Sequence, residues 1–397
     1  MSSRIIVITL AVVTFARAQS RPAGLEPGEA EGRTKTRAID PNLKFTHPPV
    51  EARGVWVTSD DLLGPRDRLL HRFDRLKSTH FTTVMIDSYF RGYTAYPGSA
   101  IAPEYPGLHG EDTLAIAIEQ AHQRGLSAQA WVSYGFYAYW TANASLDPSA
   151  MGPILAKNPE LVSIDAEGRK LIHRNVGDFY SLCAANPRSH EILGQLMVEI
   201  ATKYPIDAIH LDRIRFPEAD FCYCDYCKEH FKADTGIELK SFARGSDEQK
   251  KWTEWKRQQT FAAVKHFEKV IHAAKPGLPI TAYVVGPDEM GSRGQSWDLW
   301  AKEGLLDAIA VSMYSADIRP AADKALARLG ESGKSRLICA LSADNILTPV
   351  YAANIQAARE VSPLGQYTWF LGQLDDADFD ALEKGPYSQP SSDSIVK

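Results

Sequence analysis

The sequence predicts an α/β chain folded as a single (β/α)8 TIM barrel with long loops after strands 3 and 4. Eight short β-rich runs recur, each leads through a polar loop into a stretch with helical apolar spacing, and the insertions 135–187 and 215–250 both follow strands. An open doubly wound sheet uses the same alternation. It usually carries a glycine-rich phosphate turn after its first strand, where this chain reads TSDDLLGPRD.

Each element has its own local reason. RGVWVTS (53–59) alternates β-branched and aromatic residues, and RDRLLHRFDRLKS (66–78) then places Leu and Phe three and four apart, the period of a helix face. FTTVMIDSY (81–89) ends on a carboxylate and precedes the helical EDTLAIAIEQAHQRG (111–125), which closes on glycine. LSAQAWVSY (126–134) leads into the first insertion and then the helical ILGQLMVEIATKY (192–204). DAIHLDRI (207–214) leads into the second insertion and FAAVKHFEKVIHAAK (261–275). PITAYVVG (279–286), DAIAVSMY (307–314), RLICALS (336–342) and GQYTWFL (365–371) complete the set. The barrel is expected over 51–385, with a Pro- and Gly-rich linker or wrapping arm at 19–50 and a flexible tail at 386–397.

With 397 residues, 44% of them hydrophobic and 23% charged, the chain is long enough for one large core. Its formal net charge of −5 leaves no basic footprint, so a role on nucleic acid is not expected. The start, Met-Ser-Ser-Arg, then IIVITLAVVTFA and Ala16-Arg17-Ala18, has the layout of a secretory signal peptide over 1–18. The apolar run is short for a bilayer span, so an exported protein, periplasmic or extracellular, with no membrane insertion after signal removal is expected.

In a barrel strand alternate side chains face the axis, so Ile209 and Leu211 of DAIHLDRI face the helices while His210 and Asp212 face inward. The same parity sends Trp56 and Thr58, Asp87, Trp131 and Ser133, Ser312 and Tyr314, and Trp369 toward the mouth, with Tyr89, Arg91, Tyr93 and Tyr134 in the adjoining loops. Each ring alone reads more readily as core packing than as a ligand contact. Together, rings, carboxylates and arginines describe a sugar site, because pyranose faces stack on aromatic rings while hydroxyls bond charged side chains.

Glycoside hydrolysis needs two carboxyl groups flanking the scissile bond and no cofactor. Asp212 serves as one, as nucleophile or base. Asp288 or Glu289 in VVGPDEMGSRGQSWD is expected as its acid partner, with Asp87 the alternative. Substrate contacts are expected from Trp56, Asp87, Tyr89, Arg91, Trp131, Tyr134, His210, Arg215, Tyr314 and Trp369, the partner being a poly- or oligosaccharide. A catalytically silent carbohydrate-binding barrel and a metal or thiol-redox protein are the competing readings.

RGVWVTSDD, RGYTAYP, AWVSYGF, NPELVS, CAANP and above all IHLDRIRFP, in consistent order over roughly 50–320, resemble the glycosyl-hydrolase-like 10 family. The resemblance implies a (β/α)8 barrel and a glycosidase, with exported bacterial members acting on cell-wall glycan strands. His210, Asp212, Arg215 and Pro217 fall on the family's DGIHLDYIRYP pattern, while Arg213 stands where Tyr or Asp is common.

Cys222-Tyr-Cys224-Asp-Tyr-Cys227-Lys-Glu-His230 has CxC and CxxC spacing, and Cys183 lies in the other long insertion. Two disulfides, a structural zinc site with Cys183 or His230 as fourth ligand, free thiols and a redox CxxC are all compatible with it. Cys339, in RLICAL, is expected as a buried thiol.

Overall fold

A computed structural model describes residues 39–141, 151–174, 177–343 and 348–396. The signal-peptide segment 1–18 and most of the arm lie outside these. The eight expected runs all form strands: β1 (Ala52–Val57), β2 (Thr83–Asp87), β3 (Ser127–Val132), β4 (Ala208–Leu211), β5 (Ile280–Val284), β6 (Ala308–Ser312), β7 (Leu337–Ser342) and β8 (Gly365–Trp369). They close into a parallel barrel in which β1 pairs with both β2 and β8. Among the described residues no helix is long and apolar enough to cross a membrane.

The outer layer includes α1 (Arg66–Ser78), α2 (Thr113–Gln123), α3 (Pro187–Lys203), α4 (Asp225–Thr235), α5 (Asp247–Ala274), α6 (Trp297–Lys302), α7 (Arg319–Gly333), α8 (Thr348–Val361) and α9 (Asp376–Lys384). Helix α1 buries Leu69, Phe73 and Leu76, one stripe at helical spacing. Asn186 caps α3 by accepting from the Arg188 amide at 2.9 Å, with Pro187 at the first helical position, where its missing N–H is not needed. The two DAI sequences do equivalent work. Asp207 accepts from the Ala128 amide at 2.7 Å and Asp307 from the Ile280 amide at 2.8 Å, so each aspartate fastens the first residues of the neighbouring strand.

Two apolar layers separate by strand parity. Val55, Val57, Ile209 and Leu211 pack outward among the helices. Trp56, Met85, Trp131, Ala308, Ala310, Ile338, Ala340 and Tyr367 fill the interior. Gly54 makes room for that filling, since a Cβ there would lie 2.3 Å from the Tyr367 ring.

The end of the barrel where the strands begin is sealed by the chain's outer segments. Glu51, 2% exposed, pairs with Arg53 at 2.6 Å and Arg359 at 2.7 Å. Residues 386–396 are not the loose tail that their polar composition suggests. Ser392 accepts from the Glu51 amide at 2.8 Å, its own amide bonds Pro49 O at 3.0 Å, and Tyr387 is fully buried beneath the Arg53 guanidinium, 4.8 Å from its ring centre. Composition predicts solubility of this segment, but backbone pairing and a buried ring outweigh it.

Candidate active site

Strand parity holds at the mouth. His210 is fully buried inside the barrel, where its Nε2 accepts from the Trp56 indole at 3.1 Å. An indole N–H can only donate, so the histidine proton must sit on Nδ1, which donates to Thr281 Oγ1 at 2.7 Å. Thr281 donates onward to Gln129 Oε1 at 2.8 Å, and the Gln129 amide bonds the Tyr367 hydroxyl at 3.1 Å. Burial drives the His210 pKa down to about 3, so the ring is a neutral link in this chain. Ring and indole are both fully buried, so the histidine holds Trp56 in place inside the barrel.

Asp212 caps the same strand one inward step higher. It is 5% exposed, and its Oδ2 accepts from the Trp131 indole at 3.3 Å while Oδ1 takes the Arg213 amide at 2.5 Å. Arg213 reaches that position with φ of 52°, and Gly135 lets the first insertion pass, because a Cβ there would meet Asp212 O at 2.1 Å. Burial raises the Asp212 pKa, and the opposing charges of Arg213 and then Arg215 do not cancel it. A carboxyl held toward its protonated form suits proton donation, a different emphasis from the nucleophile or base expected from the sequence.

Above the buried rings lies a partly exposed aromatic face. Tyr283 stacks near-parallel with Tyr314, centroids 6.1 Å apart, and Tyr314 with Trp369 at 6.4 Å. Trp56 packs edge-on against Trp369 and Tyr283, each at 5.6 Å, and Trp131 against Trp369 at 5.9 Å. Tyr283 was missed in the sequence, although parity on β5 sends it inward with Thr281. Burial raises the pKa of both Tyr283 and Tyr314, and the nearby Asp212 carboxyl acts in the same direction.

The remaining expected residues divide. Asp87 is 3% exposed at the inward end of β2, where Oδ2 accepts from the Ser59 amide at 3.2 Å. Arg91 is buried, bonds Asp60 at 2.8 Å and lies 4.6 Å above the Trp140 ring. Arg215 bonds the Tyr137 hydroxyl at 3.3 Å, and Arg213 lies 4.9 Å over Tyr134. Tyr89 is wholly buried and offers backbone, its carbonyl accepting from Ser133 Oγ at 3.1 Å. Asp288 and Glu289 instead face solvent, 77% and 61% exposed, beside Lys324 and Arg293. Among the described contacts neither carboxyl joins the set around Asp212. The cysteines also stand apart: the four that could hold a metal gather between the excursions that follow β3 and β4.

The sequence profile of the Glycosyl hydrolase-like 10 family matches residues 51–340, which hold β1 to β6 and most of β7. The chain belongs to that family. It is 24% identical over 309 residues to the protein named glycosyl hydrolase DigH from Escherichia coli K12, an alignment covering 66% of this chain and 65% of the relative's length. The glycoside hydrolase domain of PgaB (BpsB) from Bordetella bronchiseptica superimposes with a TM-score of 0.60 at 15% identity, covering 84% of this chain and 96% of that one. The catalytic domain of β-amylase from Paenibacillus polymyxa gives 0.59 at 11% identity, covering 86% and 99%. At such identities these likenesses establish the barrel of this glycosyl hydrolase-like chain, while its chemistry rests on its own residues.

Proposed function

We propose that this chain is an exported glycoside hydrolase that cleaves O-glycosidic bonds of a poly- or oligosaccharide, with a cell-wall glycan as the substrate class. The observation that carries the reading is the Asp212 carboxyl, buried with a raised pKa directly beside a partly exposed aromatic face. Sugar rings stack on Tyr283, Tyr314 and Trp369. Asp212 protonates the glycosidic oxygen as the bond to the leaving sugar breaks.

The second carboxyl, which attacks the anomeric carbon as nucleophile or deprotonates the water that does so, is Asp87, the buried inward alternative. It lies two strands from Asp212, since Asp87 registers with Trp131 and Trp131 with His210. At the backbone that is on the order of 10 Å, and inward-pointing side chains shorten it toward the 5–9.5 Å that glycosidases use. Export is supported by the apolar run and Ala16-Arg17-Ala18, and an N-terminus at Gln19 in the secreted protein would verify it.

The test is cleavage of cell-wall and plant glycans by wild type, Asp212→Asn and Asp87→Asn, read by product mass and anomeric configuration. Asp212→Asn is expected to lose about 100- to 10,000-fold in kcat/KM. In the wild type, activity should fall as pH rises through the raised Asp212 pKa, because the donating form is then lost. Full cleavage by a folded Asp212→Asn protein would sink the assignment. A carbohydrate-binding barrel without catalysis is the second reading, favoured by the exposed positions of Asp288 and Glu289. Glycan binding with no product from wild type would select it.

A further inference from the structure

Cys183, Cys222, Cys224 and Cys227 are buried, and their sulfurs all lie within 4.8 Å of one another. Cys183 Sγ is 3.5 Å from both Cys224 Sγ and Cys227 Sγ. Two disulfides would separate the four into pairs about 2.05 Å apart, whereas one sulfur here stands equally near two others. Four sulfurs around a zinc ion at about 2.3 Å form a tetrahedron with edges of about 3.8 Å, close to the spacing seen. We propose that these four cysteines are the ligands of one structural zinc ion, which ties the excursion after β3 to the excursion after β4.

The surroundings fit a tetrathiolate. Cys224 is the N-cap of α4 and Cys227 lies in its first turn, where the helix dipole favours negative charge. A zinc ion with four thiolates carries a net charge of −2. Loading therefore releases the four thiol protons to solvent. The backbone brings the loops together independently: the Tyr223 amide donates to Ile164 O at 2.8 Å, and Asp165 pairs with Phe221 in an antiparallel bridge. His230, the other candidate ligand, is turned to its own helix, bonding Tyr226 O at 2.9 Å and stacking on the Tyr226 ring at 3.8 Å. The set is closed, with no position left for a substrate or a catalytic water. Its role is to hold the segment running on from Asp212, which reaches Cys222 within ten residues.

The test is elemental analysis of the full chain purified without chelators, with thiol titration of the native and denatured protein. The expected result is about one zinc per chain, and release of that zinc when a mercurial titrates the four sulfurs. Cobalt exchange should give the intense thiolate-to-metal absorption of a four-sulfur site. Cys183→Ser should retain less than about a tenth of the zinc, and Cys339→Ser, altering a thiol remote in sequence, should retain all of it. Should Cys183→Ser fail to fold, the wild-type metal content decides alone. Metal-free protein with four freely titrating thiols overturns the proposal, and so does a mass lower by four hydrogens, the mark of two disulfides.

Discussion

Glu51 and Asp212 are buried almost equally, 2% and 5% exposed, near opposite ends of one barrel, yet their carboxyls are pushed in opposite directions. At Glu51 burial works to raise the pKa, but hydrogen bonds and charge from Arg359, and then Arg53, outweigh it and hold the carboxyl below its ordinary value. At Asp212 burial wins over Arg213 and Arg215. The difference is one of geometry. Arg359 grips both Glu51 oxygens with Nε and Nη2, at 2.7 and 2.9 Å, whereas no guanidinium hydrogen bond reaches Asp212 among the described contacts, only an amide and an indole. One end spends its charges on holding the barrel shut, and the other keeps a carboxyl poorly compensated, the usual condition of a group kept for chemistry.

Substituting Glu51 breaks the contrast most severely. Glu51→Gln leaves two arginines buried beside a neutral amide and should cost about 3–5 kcal/mol, read by denaturant unfolding, with kcat of the folded fraction unchanged. Because the Glu51 pKa is depressed on folding, its contribution is present above the ordinary carboxyl pKa and disappears as pH falls through the folded value. The gap between variant and wild type should therefore narrow in acid. A gap that widens there would contradict the ion-network account.

His210→Leu comes next. It leaves the Trp56 N–H buried without its acceptor and should cost about 1–3 kcal/mol, visible as a lower Tm and a shifted tryptophan emission. An unchanged emission would mean that the indole does not depend on the histidine. Tyr283→Ala should mainly raise KM, by a factor of about 2–10, as expected from about 0.5–1.5 kcal/mol of lost ring stacking. A fall in kcat alone would place Tyr283 in the chemistry instead. Glu289→Gln should be the mildest, within about 0.5 kcal/mol in stability and with activity retained. A large loss of activity would return that carboxyl to the catalytic pair.

What the sequence made legible follows from how local the cause is. Alternation on DAIHLDRI suffices to send His210 and Asp212 inward, because a paired strand has only two faces. The same rule reaches Tyr283 when it is applied to β5. It cannot place Asp288 and Glu289, since a loop has no period, and their side chains settle on Lys324 and Arg293 in solvent. Glu51 and Arg359 are 308 positions apart, so no pattern near either announces the pair. The tail misled for a related reason: Tyr387 and Ser392 are held by partners from the start of the barrel, which composition does not register. Cysteine spacing showed a cluster but not its topology, because Cys183 arrives from a different excursion.

The single direction of the hydrogen bonds running from Trp56 through His210, Thr281 and Gln129 to Tyr367 gives the molecule a built-in clock. The indole proton at its head is fully buried among the rings inside the strand cylinder, so solvent reaches it only when that packing opens. In heavy water its proton resonance should persist long after those of rim indoles have vanished, and its decay would time that opening.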